Sequence, residues 1–459
     1  MTVGSPAPRI LVGEVRQVLG GLPEGSVHSV VTSPPYWGLR DYGLPPVLWG
    51  GRPSCGHIWG QAPRRRERSP DDVRDPNSVQ AGNRESAVRL PIAQTCRLCG
   101  AWLGQLGLEP DPDQYVEHLA SVFDEVGRVL RSDGTLWLNL GDTFHGSAPI
   151  RSRSEERFSR TWDTNSIVRA SGGGRLDSEW GEIKPKDLTG IPWMVAFELR
   201  RRGWWLRADC IWAKRNPMPE PTRDRPTRSH EYVFLLTRSR RYFYDAEAVR
   251  EPLQETTLRR LRAHVPNPRD NPDYRSKHGS GDFRRFPKLA NTDPRGRNLR
   301  SVWSIATQPF RGAHFATFPE ALPALCIRAG TSERGACETC GTPWARVVRA
   351  EGGGIGHDWH PVKSLAFGRG QGIAAPGIHD GTYRRIDLGF RQKCSCRTDR
   401  VVPCVVLDPF MGSGTVLAVA RRLGRASIGI DLNPNYAKLA VSRADSVGEI
   451  ALGVAEVAT

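Results

Sequence analysis

The feature that most constrains the fold is an apolar, strand-like run that ends in a glycine-rich turn, CVVLDPFMGSGT at residues 404–415. A second apolar run, ASIGID, ends at Asp431, 23 residues after Asp408. In nucleotide-binding α/β folds, an acidic residue at about this distance accepts hydrogen bonds from ribose hydroxyls. The turn has neither GxGxxG spacing nor the GK[ST] ending of a phosphate loop. The pattern therefore predicts a ribose-bearing ligand that has no pyrophosphate.

Apolar strands alternate with helical periodicity in three regions: residues 10–36, about 100–250, and 404 onward. In the second region, apolar residues from Tyr115 to Leu130 recur every three or four positions, which predicts a helix capped by Asp113. A turn at 132–134 should separate it from the strand TLWLNL. This alternation predicts an α/β fold with a mostly parallel, doubly wound sheet and helices on both faces.

The charge of the chain favours a polyanionic partner. The 65 Lys and Arg residues against 49 Asp and Glu residues give a net charge of +16. Residues 253–300 alone hold 12 Lys and Arg against 5 Asp and Glu. That concentration is typical of a nucleic-acid contact, although a solvated, disordered loop is the alternative. No run approaches the ~20 apolar residues of a membrane span, and no signal peptide is evident, so we expect a cytoplasmic protein.

Ten cysteines are present, and their spacing favours metal binding over disulfides. Two C-x2-C pairs are each followed by glycine, and each has a C-x-H or C-x-C partner pair elsewhere in the chain. Four ligands complete a closed structural Zn²⁺ site, so we predict about two zinc ions per chain. Free, solvent-exposed thiols and chance pairs are the alternatives. The predicted ligands are Cys55, His57, Cys96 and Cys99 in the first set, and Cys337, Cys340, Cys394 and Cys396 in the second.

The motif TSPPYW, Thr32 to Trp37, directly follows an apolar strand. Prolines have no N–H and restrict the backbone, so the carbonyls here are rigid acceptors. Ser33 adds a hydroxyl and Tyr36 an aromatic ring. Acceptors that converge beside a ring suit an exocyclic amine on a planar heterocycle, although an ordinary strand-to-loop turn would look the same.

Taken together, TSPPYW, DPFMGSGT and IGIDLNPNYAKLA resemble the amino-methyltransferases of DNA, the S-adenosylmethionine-dependent DNA methylase N-4/N-6 family. The catalytic motif precedes the cofactor motif, as in the permuted beta arrangement of that family. The resemblance also covers LGLEPDPDQYVEHLASVFDEVGRVLRSDGTLWLNLGDTF, the stretch from KPKDLTG to NPMPE, SHEYVFLLTRS and HFATFPEAL. It thus spans most of the chain outside the insertions.

The resemblance implies a DNA methyltransferase that modifies the N4 amine of a cytosine flipped out of duplex DNA. Ser33 and the Pro34 carbonyl would accept hydrogen bonds from the amine, and Tyr36 would stack on the base. Within the family, Ser-Pro-Pro-aromatic is mainly associated with cytosine. An adenine-N6 methyltransferase and a catalytically inactive zinc-ribbon DNA-binding protein are the alternatives. The implied catalytic residues are Ser33, Pro34, Pro35 and Tyr36, and the implied cofactor residues are Thr317, Phe318, Asp408, Pro409, Phe410, Gly412, Gly414, Asp431 and Asn433.

The predicted organisation is a catalytic core interrupted by three insertions. The resemblance implies double-stranded DNA as the partner, leaves room for a homodimer and a cognate restriction endonuclease, and implies a bacterial, archaeal or phage origin. No membrane partner is expected. The segments are 1–54 (core with the TSPPYW loop), 55–99 (zinc-binding insert), 100–250 (core), 251–300 (basic target-recognition segment), 301–336 (core), 337–396 (second zinc-binding insert) and 397–459 (cofactor-binding part of the core).

Overall fold

A computed structural model describes the chain in nine stretches. They are residues 6–39, 42–60, 94–145, 183–184, 186–256, 296–308, 318–351, 384–445 and 451–452. Residues 257–295 of the predicted basic segment and Thr317 lie outside these stretches. The chain forms two compact units. One comprises Met1–Phe243, Ser301–Thr331 and Pro403–Thr459, and the other Tyr244–Arg300 and Ser332–Val402.

The strands and helices are numbered in chain order. The strands are β1 (Arg9–Val12), β2 (Val27–Thr32), β3 (Val47–Trp49), β4 (Gln94–Thr95), β5 (Trp102–Gly104), β6 (Leu130–Leu140), β7 (Trp205–Lys214), β8 (His230–Thr237), β9 (Val302–Ile305), β10 (Ala336–Cys337), β11 (Ala345–Glu351), β12 (Arg384–Arg391), β13 (Val401–Val402), β14 (Val405–Asp408), β15 (Ala426–Asp431) and β16 (Ala451–Leu452). The helices are α1 (Val15–Gly20), α2 (Pro112–Val129), α3 (Ile191–Arg201), α4 (Ala321–Gly330), α5 (Thr415–Arg422) and α6 (Pro434–Asp445).

The first unit is built on a nine-stranded sheet in the order β16-β1-β15-β14-β2-β6-β8-β7-β9. The pairs from β16 to β6 are parallel, β8 runs antiparallel to β6 and β7, and β9 is parallel to β7. All six residues of β2 are buried, as expected of a central strand covered on both faces. Helices α1, α2 and α3 pack in one series and α4, α5 and α6 in another. The predicted α/β fold with a mostly parallel sheet is confirmed.

Helix α2 begins earlier than the sequence predicts. Its N-cap is Asp111, whose carboxylate accepts the Gln114 N–H at 2.8 Å. The predicted cap, Asp113, lies in the first turn instead, because Pro112 occupies a position where a missing N–H costs nothing. The predicted turn at 132–134 is also wrong. These residues belong to the eleven-residue strand β6, which starts directly after the helix and pairs irregularly with β2 near its beginning.

Three small sheets complete the described part. In the first unit, β3, β5 and β4 form an antiparallel sheet. In the second unit, β10 pairs with β13 and β11 with β12. Among the described residues, no helix combines the length and apolar character needed to cross a bilayer.

Candidate active site

The two motifs singled out in the sequence meet at one edge of the central sheet. Strands β2 and β14 are parallel neighbours, so the residues that follow them emerge side by side. Thr32, the last residue of β2, donates a hydrogen bond from Oγ1 to Asp408 Oδ1 at 2.7 Å. Both groups are buried. The fold therefore joins TSPPYW directly to DPFMGSGT across 376 positions of sequence.

The TSPPYW loop is held rigidly from the side of α2. The Pro35 carbonyl accepts the Tyr115 hydroxyl at 2.8 Å, and the Trp37 indole donates to the Glu109 carbonyl at 3.0 Å. Gly107 has φ +94°, and a Cβ there would lie 3.2 Å from the Tyr36 carbonyl oxygen. Of the two proline acceptors expected from the sequence, Pro35 is thus already used. Among the residues that the structure describes, no hydrogen bond to the Pro34 carbonyl is found.

Glu109 is the central residue of this support. Its carboxylate accepts the Gly107 N–H at 2.7 Å and contacts His118 Nδ1 at 3.1 Å. The indole rings of Trp49 and Trp102 stack on His118, with centroids 5.3 and 5.6 Å away. Burial raises the pKa of Glu109, against the opposing effect of its hydrogen bonds. The small β3-β5-β4 sheet, which supplies both tryptophans, is therefore packed against the residues that support the loop.

Ser33 and Tyr36 belong to a hydrogen-bonded network that spans four strand ends. The Ser33 and Tyr36 hydroxyls lie 3.1 Å apart, and Tyr36 donates to Glu231 Oε2 at 2.7 Å. Asn139 Nδ2 lies 2.7 Å from the Tyr36 oxygen, 2.8 Å from Glu231 Oε2 and 3.4 Å from Ser33 Oγ. Lys214 Nζ contacts Glu231 Oε1 at 2.6 Å. The Asn139 side-chain oxygen is buried and has no partner among the described residues.

The Tyr36 ring is fixed as firmly as its hydroxyl. A Cβ at Gly141 would lie 2.6 Å from the ring, so glycine is needed there to make room for it. Burial, and then the charge of Glu231, raise the pKa of Tyr36 well above its ordinary value. The side chain is therefore a neutral phenol with a single hydroxyl proton.

Asn139, Glu231 and Lys214 are not among the site residues predicted from the sequence. A signal was available, because Asn139 and Glu231 are polar residues within the apolar strands TLWLNL and HEYVFLLT. Strand β8 runs antiparallel to β6, so Glu231 at its start lies at the same sheet edge as Asn139 near the end of β6. That pairing direction is what the sequence alone does not show.

The glycine-rich loop is organised by two aspartates. Asp431, at the end of β15, accepts the Gly412 N–H at 3.0 Å and the Asn433 N–H at 2.8 Å. Asp408 also accepts the Phe410 N–H at 3.1 Å. Burial is the main cause that raises the pKa of Asp408 to about 7 and that of Asp431 to about 6. The predicted cofactor residues in 408–433 are therefore brought together.

Two glycines in this loop have left-handed backbones for different reasons. At Gly414, φ is +76° and a Cβ would lie 2.7 Å from the Ala440 Cβ, so helix α6 can approach only a glycine. At Gly412, φ is +49° and a Cβ would meet nothing within 4 Å. The space beside Gly412 is therefore open, as a ligand-facing backbone requires. Pro409 is buried, and Phe410 is partly exposed.

The loop is also tied to the segment before α4. Arg443 donates to Ser413 Oγ at 3.1 Å and to Thr415 Oγ1 at 2.7 Å, and it pairs with Glu320 at 3.1 Å. Phe318, a predicted cofactor residue, lies two positions before Glu320 and is partly exposed. Its predicted neighbour Thr317 is outside the described residues. Arg443 and Glu320 are a further pair that was not predicted from the sequence.

The eight predicted metal ligands form two clusters. In each, the four potential ligand atoms lie within 4.8 Å of one another, and none of the ten cysteines, all of which lie in the described stretches, is part of a disulfide. In the first cluster, the sulfurs of Cys55 and Cys96 are 4.0 Å apart, and Cys99 Sγ is 3.4 Å from His57 Nδ1. The clusters consist of Cys55, His57, Cys96 and Cys99, and of Cys337, Cys340, Cys394 and Cys396.

Both C-x2-C pairs adopt the same turn. In the first, the Cys96 carbonyl accepts the Gly100 N–H at 3.0 Å, and the glycine has φ +71°. In the second, the Cys337 carbonyl accepts the Gly341 N–H at 2.8 Å, and the glycine has φ +69°. Two segments far apart in the sequence thus hold their paired thiols in the same turn conformation. The positive φ at the end of the turn favours glycine in both.

The sequence of this chain is similar to those of known DNA methylases. Residues 27–337 and 404–442 match the N6/N4 family of DNA methylases. The chain belongs to that family. The methylase is 32% identical over 431 residues to the Type II methyltransferase M.Cfr9I of Citrobacter freundii, covering 94% of this chain and 85% of that protein. It is 30% identical over 438 residues to M.SmaI of Serratia marcescens, covering 95% and 90%.

A cytosine-N4-specific PvuII DNA methyltransferase covers 96% of the methylase and is itself covered to 87%, with 13% identity and a TM-score of 0.42. A likeness at this level adds nothing to the assignment. The family and its Type II relatives establish an S-adenosylmethionine-dependent DNA methyltransferase of the restriction-modification kind that acts at N4 or N6 amines.

Proposed function

We propose that this methylase transfers a methyl group to the N4 amine of a cytosine flipped out of duplex DNA. The observation that carries the proposal is the Thr32–Asp408 hydrogen bond, which joins the residue directly before Ser33 to the residue that begins the DPFMGSGT motif. Cytosine is favoured over adenine because the first residue of the motif is serine, the residue mainly associated with cytosine in this family. A hydroxyl is also smaller than the carboxylate or amide found at that position in adenine-specific members.

The residues of the loop provide the acceptors that an amine needs. Ser33 Oγ and the Pro34 carbonyl would accept the two amine hydrogens and so concentrate the nitrogen lone pair on the side facing the methyl group. The unpartnered, buried Asn139 oxygen is a further acceptor in the same site, since it shares its amide with the Nδ2 that contacts Ser33. A buried acceptor without a partner costs about 1–3 kcal/mol, which a bound amine would offset. Tyr36 would present its ring to the base.

The glycine-rich loop fits the cofactor. When bound, S-adenosylmethionine supplies an electrophilic methyl group on a sulfonium. Asp431 would hold the ribose hydroxyls, since each of its oxygens accepts one backbone N–H and retains a lone pair. The open space at Gly412 would let the backbone approach the ligand. The other residues proposed to line the pocket are Thr317, Phe318, Asp408, Pro409, Phe410, Gly414 and Asn433.

Replacing Asp431 by alanine should weaken binding of S-adenosylmethionine at least about tenfold, because a charge-assisted ribose contact is worth about 1.5–3 kcal/mol. Isothermal titration calorimetry measures this directly. The matched control is Asp399→Ala, because Asp399 is an aspartate in the second unit, and this variant should bind S-adenosylmethionine normally. Equal affinities of the wild type and Asp431→Ala would remove Asp431 from the cofactor site.

The affinity for S-adenosylmethionine should depend on pH near 6. Burial raises the pKa of Asp431 to about 6, so the carboxyl becomes protonated as the pH falls below that value. Ribose hydroxyls donate more strongly to the ionised form. Between pH 7 and pH 5 we therefore expect affinity to fall by about tenfold. Titrations across this range should show a flatter profile for Asp431→Asn, and an identical profile would contradict the assignment.

The two cysteine clusters are proposed as structural zinc sites. Each supplies four ligands of the types that Zn²⁺ prefers and leaves no position for a catalytic water. The shared turn around each C-x2-C pair supports the same role for both. The methylase would then hold about two zinc ions, each of which would stabilise an insert rather than take part in the chemistry.

Contacts to duplex DNA are proposed for residues 253–300, whose net charge of +7 suits a phosphate backbone.

To test the proposed function, the methylase can be expressed in a host without cytosine-N4 methylation, and modified bases then mapped by sequencing. N4-methylcytosine at one recurring sequence is expected with the wild type, and far less of it with Ser33→Ala. Methylation confined to adenine would establish the N6 alternative instead.

A further inference from the structure

We propose that Glu231, held by Lys214, fixes the direction of a hydrogen-bond chain that ends at Ser33, so that the Ser33 hydroxyl can act only as an acceptor toward the target amine. This inference rests on the proposed function, in which Ser33 contacts the base. It assigns Glu231 and Lys214 as positioning residues, because they act through Tyr36 and Ser33.

The chain starts at a group that cannot donate. An ionised carboxylate is only an acceptor, and an ammonium group is only a donor. Lys214 Nζ occupies Glu231 Oε1 at 2.6 Å, which leaves Oε2 to face Tyr36 at 2.7 Å. Tyr36 must therefore use its one hydroxyl proton on Glu231.

Asn139 excludes the remaining alternative, in which Tyr36 would donate its hydroxyl proton to Ser33. Its Nδ2 is 2.8 Å from Glu231 Oε2, so this amide must present nitrogen, and not oxygen, to the carboxylate. The same Nδ2 donates to the Tyr36 oxygen at 2.7 Å. Tyr36 thus has no proton left for Ser33, and its oxygen serves as an acceptor.

Ser33 must then donate to Tyr36. The two hydroxyl oxygens are 3.1 Å apart, and only the Ser33 proton is available for the bond between them. Once that proton is committed, the Ser33 oxygen offers lone pairs alone. A hydroxyl in water reorients freely, but here Asn139 is 3% exposed and the Glu231 side chain 14%, so the direction is set by protein groups.

Glu231→Gln tests this hydrogen-bond chain because the substitution reverses the direction of donation along it and changes little else. Lys214 would hold the glutamine oxygen, which turns the glutamine NH2 toward Tyr36. Tyr36 would then accept from residue 231 and donate to Ser33, and one of the lone pairs needed for the amine would be occupied. We expect the single-turnover rate to fall by about tenfold or more, with the S-adenosylmethionine Kd within about twofold of wild type.

The matched control is Glu198→Gln on α3. Glu198 is also an ion-paired glutamate, and its side chain is 15% exposed, close to the 14% of Glu231. Its replacement should leave the single-turnover rate unchanged. Thermal unfolding of each variant shows whether the fold is retained.

Two double variants separate positioning from a general structural role. In a Ser33→Ala background, Glu231→Gln should have almost no further effect on the single-turnover rate. Without the Ser33 hydroxyl, the direction of the hydrogen bonds no longer affects an acceptor for the target amine. Lys214→Met should partly restore the rate of Glu231→Gln, since the glutamine is free to rotate and offer its oxygen to Tyr36. A purely structural defect would worsen when the second polar group is removed.

Three results would overturn the inference. The first is a wild-type rate for Glu231→Gln, and the second is a loss of the same size with and without the Ser33 hydroxyl. The third is a further loss, instead of recovery, on adding Lys214→Met. A wild-type rate for Ser33→Ala alone would instead refute the proposed role of Ser33, and the inference with it, which distinguishes the two failures.

Discussion

Ser33→Ala should lower the single-turnover rate of methyl transfer by about 100- to 1000-fold, the usual loss when one preorganised hydrogen-bonding group is removed from a transition state. Binding of S-adenosylmethionine should change by less than about twofold, because the hydrogen-bonding partners of the Ser33 hydroxyl among the described residues are Tyr36 and Asn139, and neither belongs to the glycine-rich loop. The rate is measured by rapid-quench transfer of a labelled methyl group to DNA.

The matched control for this variant is Ser26→Ala. Ser26 donates to the Pro23 carbonyl at 2.7 Å in an exposed turn. It directly precedes β2, whereas Ser33 directly follows that strand, so the same chemical change is made at the opposite end of β2. Its rate should equal that of wild type. If Ser33→Ala retained full activity, the acceptor for the amine would have to be the Pro34 carbonyl or Asn139 alone.

Cys96→Ser should lower the zinc content from about two ions per chain to about one and loosen the first insert, since structural zinc is worth on the order of 10 kcal/mol of folding free energy. Cys96 is one residue beyond β4, in the sheet that supplies Trp49 and Trp102 to the His118–Glu109 pair. Glu109 in turn supports the TSPPYW loop. Activity should therefore fall together with zinc content.

Metal analysis by plasma mass spectrometry measures the zinc content. The control is Cys210→Ala, because Cys210 is a buried thiol in β7 outside both clusters and should leave two zinc ions bound. Well under one equivalent of zinc in wild-type protein purified without chelator would refute both sites.

The local features of this protein could be predicted from its sequence. TSPPYW, DPFMGSGT and the C-x2-C-G turns each carry their geometry within a few residues, and the cysteine pairs were matched correctly into two clusters. The three cysteines outside the clusters, Cys210, Cys326 and Cys404, lie in apolar runs and are buried.

What the sequence did not show depends on how distant segments pair. Asn139 and Glu231 meet because β8 turns antiparallel beside β6, and their separation of 92 residues gives no hint of contact. The Glu109 support likewise combines a loop, a helix and a small sheet. The misplaced N-cap of α2 has a local cause, since Pro112 allowed the helix to begin before Asp113.

The most direct test of the account is the identity of the modified base. Duplex DNA incubated with the methylase and S-adenosylmethionine is digested to nucleosides, which are separated and identified by mass against standards. We predict N4-methyldeoxycytidine, formed by the wild type and nearly absent with Ser33→Ala. N6-methyldeoxyadenosine without N4-methyldeoxycytidine would contradict the account.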